Sequence, residues 1–302
     1  MDTAAPLLFD SAFLAKLEQL VLLSKKLFRG EHRAERRSRE TGSSLEFADY
    51  RNYTPGDDLR SIDWNIYGRL DRLFVKLFEQ EQDLDLHFLI DASASMRWQP
   101  EGAARVSKFD QARRIAASLA YIALSNLDRV NLLWFSATLG ADLGLVRGKS
   151  QFHRVLDFLR RAPEPEGATG LLAVARSFTQ RLKRRGLVFV LSDFLDPAGY
   201  EEALGLLRFN RFDTHVIQIL DPAELEPEAR GDLRLVDCET GAPLEVTATP
   251  AVLASYRVEV ERFLAGLAAF CLRRGIARAQ ASTAVPFEDL VLRVLRDGMI
   301  LK

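Results

Sequence analysis

Four short apolar runs constrain this 302-residue chain more than any other feature of it. They lie in "LDLHFLID" at 84–91, "RVNLLWFSA" at 129–137, "GLVFVLSD" at 186–193 and the segment 212–220. Each has the length of a strand. The run at 186–193 lacks the alternation of a half-exposed strand, as expected when both faces are covered. Between the runs lie segments with helical spacing. In 107–126, Phe109, Ala112, Ile115, Ala116, Leu119 and Ile122 share one face. Further helices are predicted at 150–161, 170–184 and 198–208, and a short strand near 142–146 pairs with 129–137. Alternation of this kind predicts an α/β fold with a mostly parallel sheet flanked by helices.

The flanks are less regular. Residues 10–29 place Phe13, Leu14, Leu17, Leu20, Val21, Leu27 and Phe28 at helical spacing, with Asp10 or Ser11 as the cap. Residues 29–40 are polar and basic, either a solvated connector or an anion-binding arm. In 41–80, Thr54-Pro55-Gly56-Asp57 reads as a turn. A short helix is predicted at 58–67 and a strand at 72–80, with "EQDLDLHFLID" as its neighbour. Beyond Asp221, "GDLRLVDCETGAPLEVTA" reads as a hairpin turning at Thr240-Gly241. A helix at 250–273, a strand in "IARAQAST" and a helix at 286–296 follow. Leu290, Val291, Val294 and Leu295 give the last helix an apolar stripe, for the core or for docking. The expected division is 1–80, 81–222 and 223–302, the last packed on the same body as the second.

Composition excludes several classes. Lys plus Arg number 41 against 42 Asp plus Glu, a net charge of -1, which argues against a nucleic-acid binder. Cys238 and Cys271 stand in no metal-ligand spacing and read as reduced thiols. His32, His87, His153 and His215 show no zinc spacing, and His87 falls within a strand. No apolar run reaches the roughly 18–20 residues of a membrane span, and no charged-then-apolar leader opens the chain. The expected location is the cytoplasm.

The chemistry gathers at strand ends. In open α/β sheets ligands bind outside the carboxyl ends of the strands. The run 84–91 stops on Asp91, with Ser93 and Ser95 at alternate positions after it. The run 186–193 stops on Asp193. Thr169 lies between them, in "EGATG" just ahead of a helix. Two carboxylates and three hydroxyls from three loops form an oxygen-only set suited to a hard cation: Mg²⁺, Mn²⁺ or Ca²⁺.

This pattern of DxSxS, a later Thr and a later Asp resembles the metal-ion-dependent adhesion site of von Willebrand factor A domains. The resemblance implies a Rossmann-like fold. It also implies a cation contacted by Ser93, Ser95 and Thr169 directly or through water, Asp91 and Asp193 acting mostly through bound water, and a ligand acid in the last position. A longer string, "EFADYRNYTPGDDLRSIDWNIYGRLDRLFVK" at 46–76, resembles the signature of the bacterial DUF58 family. Arg51, Tyr53, Gly56, Asp57, Asp58, Arg60, Ile62, Asp63 and Trp64 fit its pattern, while Gly68-Arg69 stands where many members have Ala-Arg. Together the two resemblances cover roughly residues 40–220. They imply a partner among MoxR-type AAA+ ATPases, or a client protein, in chaperone-like assembly or maturation.

Two functions follow. One is a non-catalytic, metal-dependent protein-interaction module. The other is a Mg²⁺-dependent phosphohydrolase with Asp91 as nucleophile. Against the second, Ser93 stands where such enzymes place an acid/base, and the sequence shows no obvious phosphate-binding lysine. Within the signature, Arg51, Arg60, Asp57, Asp58 and Asp63 either form ion pairs that lock the segment onto the sheet with Trp64 buried, or leave Arg51 and Arg60 outward as a partner-binding surface.

Overall fold

The computed structural model describes residues 8–28, 46–79, 84–99, 106–182, 184–228 and 230–296. Two compact units divide them. One takes in the first helix and everything from Leu84 on; the other lies within Leu27–Asp83. The basic stretch 29–40 falls outside the described residues.

The first helix, α1 (Ser11–Phe28), begins at Asp10, whose carboxylate accepts the Phe13 N–H at 2.7 Å. The smaller unit then forms a ribbon of β1 (Glu46–Asn52) and β2 (Phe74–Glu79), paired antiparallel with Tyr50 opposite Lys76. Between the strands lie a 3-10 turn at Leu59–Ser61 and α2 (Trp64–Leu70). The partner of β2 is therefore β1, and not the stretch 80–91 as the sequence led us to expect. Contiguity suggested the next stretch as its neighbour; the strand that pairs lies upstream, in a stretch too short and too polar to stand out.

The larger unit is built on β3 (Asp85–Asp91), α3 (Lys108–Ser125), β4 (Arg129–Phe135), β5 (Leu139–Asp142), β6 (Val146–Arg147), α4 (Phe152–Arg160), α5 (Leu171–Arg181), β7 (Leu187–Ser192), α6 (Glu201–Phe209), β8 (Asp213–Leu220) and α7 (Pro222–Leu225). The chain continues through β9 (Gly231–Val236), β10 (Pro243–Ala248), α8 (Pro250–Arg274), β11 (Ala277–Ser282) and α9 (Phe287–Arg296). Seven strands form one sheet in the order β11-β8-β7-β3-β4-β5, with β6 also on β4. β11, β8, β7, β3 and β4 run parallel; β5 and β6 pair antiparallel with β4. The mixed α/β sheet flanked by helices agrees with the alternation in the sequence. The segment "IARAQAST" does more than extend the chain: it adds the outermost parallel strand.

Every residue of β3 and β7 is buried, which explains their unbroken apolar runs. On one side, Leu89, Val188, Val190 and Val216 pack with α5, α6 and α8 through Phe178, Leu204 and Leu267. α3 packs on the sheet too, and its predicted face (Phe109, Ala112, Ile115, Ala116, Leu119, Ile122) is wholly buried. The stripe of α9 (Leu290, Val291, Val294, Leu295) is core, in contact with α3. α1 and α9 meet where the Phe13 and Phe287 rings lie 4.7 Å apart and Lys16 Nζ donates to Glu288 at 2.5 Å. Of the described residues, none forms a helix long and apolar enough to cross a membrane.

His87 lies in the core, edge-on to Phe178 at 5.5 Å and Phe212 at 6.5 Å. Burial, with a smaller contribution from Arg129, holds its pKa down at about 4. Because the unfolded chain takes up this proton first, the stability that neutral His87 contributes is complete above about pH 6.5 and is lost as pH falls toward 4. We expect His87→Phe to remove on the order of 3 kcal/mol of the acid-induced loss. Urea midpoints measured between pH 7 and pH 4 check this; parallel curves for the two proteins would refute it.

Candidate functional site

The chain leaves β3 to one side of the sheet and leaves β7 to the other, so the topological switch point lies between their carboxyl ends. Asp91 closes β3, and Asp193 follows β7. Both are fully buried. Asp91 Oδ1 accepts the Ser93 N–H at 2.9 Å, and Oδ2 accepts the Ser192 hydroxyl at 2.5 Å. Ser93 Oγ and Ser95 Oγ stand 3.0 Å apart. The loop carrying Thr169 is fastened to the serine loop by backbone: Glu166 N–H donates to the Ala92 carbonyl and Ala94 N–H to the Gly167 carbonyl, each at 3.0 Å. Gly170 holds the other side of that loop. A Cβ there would lie 2.5 Å from the Ala137 carbonyl oxygen, so only glycine permits this approach.

Three loops thus deliver Asp91, Ser93, Ser95, Thr169 and Asp193 to one edge of the sheet. Four further residues that the sequence reading did not single out belong to the same region. Ser192 orients Asp91. Lys108, fully buried at the start of α3, donates to Asp193 Oδ2 at 2.7 Å and to Glu224 Oε1 at 2.5 Å. Glu224 also accepts the Asp221 N–H as part of the capping box of α7. The fourth is Glu239, in the turn between β9 and β10, whose Oε1 accepts the Thr169 hydroxyl at 3.1 Å. Lys108 is a buried lysine of this region that the sequence reading did not single out, and both of these partners are carboxylates of the protein itself. It did leave one signal, since a cation in the first turn of a helix opposes the helix dipole and implies a nearby anion. Glu239 left none, because nothing local ties a hairpin turn to a loop 70 residues away.

The electrostatics follow from burial. Burial first, and then the Asp193 charge, push Asp91 up to about 7, against the hydrogen bonds from Ser192 and Ser93. Burial opposes the charge on Lys108, but Asp193 and Glu224 outweigh it and raise its pKa. Glu224 is raised by burial despite Lys108, and Glu239 by burial, with the Asp193 and Asp237 charges adding. Three carboxyl groups, Asp91, Asp193 and Glu224, thus gather around one ammonium, and the Asp193 charge adds to the lift on Asp91.

The donor set fits a hard cation. Neighbouring ligands of an octahedral ion bound at about 2.1 Å stand about 3 Å apart, the spacing of the two serine hydroxyls. That spacing equally suits a hydrogen bond between them. Among the described residues no group of three His, Cys, Asp or Glu side chains forms a metal cage, so hydroxyls and water would have to supply most of the ligands.

The smaller unit arranges its charges locally. Arg51 donates to Asp57 at 2.8 Å and to Thr54 at 3.0 Å, closing the Thr54–Asp57 turn. The Arg51 bond, followed by the Thr54 backbone, lowers the Asp57 pKa to about 2. Asp58 caps the 3-10 turn, and Asp63 caps α2 while accepting the Tyr50 hydroxyl. Asp58 and Asp63 thus act as caps, and Asp57 pairs with Arg51 within the turn. Trp64 is 62% exposed, not buried as expected, because Asp63 starts α2 with its first residue facing outward. Arg51 is turned into its own loop, and Arg60 is exposed.

Comparison with known proteins gives relatives without assigned activities. A family profile described as "Protein of unknown function DUF58" matches residues 49–263. The uncharacterized protein Rv1480 of Mycobacterium tuberculosis is 28% identical over 269 residues, covering 86% of this chain and 84% of its own. The uncharacterized protein MAV169 of Mycobacterium avium is 34% identical over 134 residues, 44% of this chain and 72% of that protein. Among solved structures, the conserved hypothetical protein BatB of Bacteroides thetaiotaomicron aligns at TM-score 0.42 and 12% identity, over 72% of this chain and 99% of that one. An aerotolerance-related membrane protein of Bacteroides fragilis aligns at TM-score 0.42 and 16% identity, over 71% and 98%.

Lys108 is the test of this geometry. Lys108→Met leaves the fully buried Asp193 and the partly buried Glu224 without their cation and is expected to cost about 3–5 kcal/mol of stability. Adding Asp193→Asn should recover part of the loss. Urea unfolding of the single and double variants measures both; equal losses would show that the pair is not coupled.

Proposed function

The chain belongs to the DUF58 family, and we propose that it is a non-catalytic protein-interaction module that binds a divalent cation at its sheet edge and there recognises a protein partner. The observation that supports this reading is the meeting of the Ser93–Ser95 hydroxyl pair with buried Asp91 and Asp193, where three carboxyl groups gather around one ammonium. In this adhesion-type, von Willebrand factor A-like arrangement, Ser93, Ser95 and Thr169 would hold Mg²⁺ or Mn²⁺, and Ca²⁺ is a third candidate. Asp91 and Asp193 would act through water. The cation supplies a positive centre for an acidic group of the partner. The partner in this reading is a MoxR-type AAA+ ATPase, or a client that the two proteins assemble or mature.

A phosphohydrolase with Asp91 as nucleophile has less support. Both Asp91 oxygens already accept hydrogen bonds, and Lys108 is taken up by Asp193 and Glu224. Ser93 has no basic function to offer as acid/base.

Calorimetric titration of Mg²⁺ and Mn²⁺ into the protein and into Asp91→Ala tests the proposal, alongside binding of a MoxR-type ATPase with and without chelator. We expect metal uptake by the parent protein, at least tenfold weaker uptake by the variant, and ATPase binding that chelation abolishes. ATPase binding indifferent to both chelator and variant would remove the metal from the function. Phosphatase turnover lost in Asp91→Asn would favour the enzyme.

A further inference from the structure

The site hydroxyls are buried, although the proposed function needs them to meet a partner. What stands against Thr169 is a side chain of the protein itself. Glu239 sits at the tip of the β9–β10 hairpin, and its carboxylate accepts the Thr169 hydroxyl at 3.1 Å. The Asp193 charge is close enough to act on the Glu239 carboxyl.

The tip is built to hold this side chain out. Asp237 Oδ1 accepts the N–H groups of both Glu239 and Thr240 at 2.8 Å. The Asp237 carbonyl accepts the Gly241 N–H at 2.8 Å, and Gly241 takes φ 72°. None of these bonds uses the Glu239 side chain, so the turn keeps its shape whatever that side chain does. The ribbon behind the tip is peripheral. Its strands pair only with each other and are exposed along most of their length, with Leu235, Val236 and Leu244 open to solvent. A two-stranded ribbon of this kind has little stability of its own, so its position depends on what the tip and the base hold.

We propose that Glu239 is an internal ligand of the site, which the acidic group of a partner must displace. The proposal rests on the adhesion-type reading above and adds to it an occupant from the chain itself. The internal carboxylate is a tethered competitor. A tether of this length gives a local concentration on the order of millimolar, and any external carboxylate must overcome it. A protein partner, with further contacts around the site, can do so where a free amino acid cannot.

Glu239→Ala removes the competitor and leaves the turn intact. Glu245→Ala is the control: the same charge change on the same hairpin, in the middle of β10. Two measurements on the full chain separate this inference from the metal reading. Hydrogen–deuterium exchange follows residues 166–170 and 237–241. Titration of N-acetylglutamate into the protein, with and without Mn²⁺, follows the vacated position. We expect Glu239→Ala to exchange roughly tenfold faster in both segments and to bind the probe roughly tenfold more tightly than the parent and the control. Unchanged exchange together with unchanged probe affinity would overturn the internal ligand, whether or not Mn²⁺ binds. Faster exchange and tighter probe binding with no Mn²⁺ uptake would uphold Glu239 as the occupant and remove the cation. Faster exchange without any gain in probe affinity would reduce Glu239 to a packing contact and overturn the proposal.

Discussion

One ammonium group ties together the carboxyl edge of the sheet in this protein. Lys108 Nζ lies between Asp193 after β7 and Glu224 in α7, with no exposure to solvent. A lone charge in such a place would be untenable; two carboxylates make it stable, and it makes them stable in turn. Much of the local structure takes its position from this arrangement. The start of α3 is fixed against the end of β7, the capping box of α7 is fixed by Glu224, and Asp193 is held beside Asp91. The raised pKa of Asp91 comes first from its burial and then from the neighbouring Asp193 charge. The strands bury uncharged polar side chains such as His87, Asn131 and Gln218 along their length, while Asp91 and Asp193 stand at the carboxyl ends of β3 and β7.

The smaller unit uses charge differently. Asp57, Asp58 and Asp63 each spend their carboxylates on backbone N–H groups or on a neighbouring side chain. The dense signature string is in large part a set of instructions for turns: close the loop at Thr54–Asp57, begin a 3-10 turn, begin a helix. Several large apolar and aromatic side chains are left outward beside the charged ones: Leu59, Trp64, Tyr67 and Leu70 are exposed, as are Arg60 and Arg69.

The sheet was legible because its strands are covered on both faces, and such strands have little freedom of composition. Phe109 to Ile122 on α3 were legible for the same reason, since a helix that packs on a sheet must repeat its apolar residues. Asp91, Ser93, Ser95, Thr169 and Asp193 were legible as strand-end polar residues, and the structure gathers them at one edge. The pairing of β2 was not, because strand partners are chosen by geometry across the unit and the next stretch in sequence has no special claim. Trp64 misled because a large aromatic usually buries itself, whereas here a cap set the helix phase. Glu239 could not be read at all. Its role depends on a ribbon reaching across space to Thr169, and a lone glutamate in a turn looks like any other.

The contact between Phe13 and Phe287 bears on how this molecule is made. The first and last helices of the larger unit touch across more than 270 positions of chain, and the whole smaller unit is strung between α1 and β3. Closing so long a loop adds little to the equilibrium cost, which grows only with the logarithm of its length. It adds much more to the search, because contacts so distant in sequence slow folding. On a ribosome, α1 emerges well before α9, so the contact between the Phe13 and Phe287 rings closes only after most of the chain has been made.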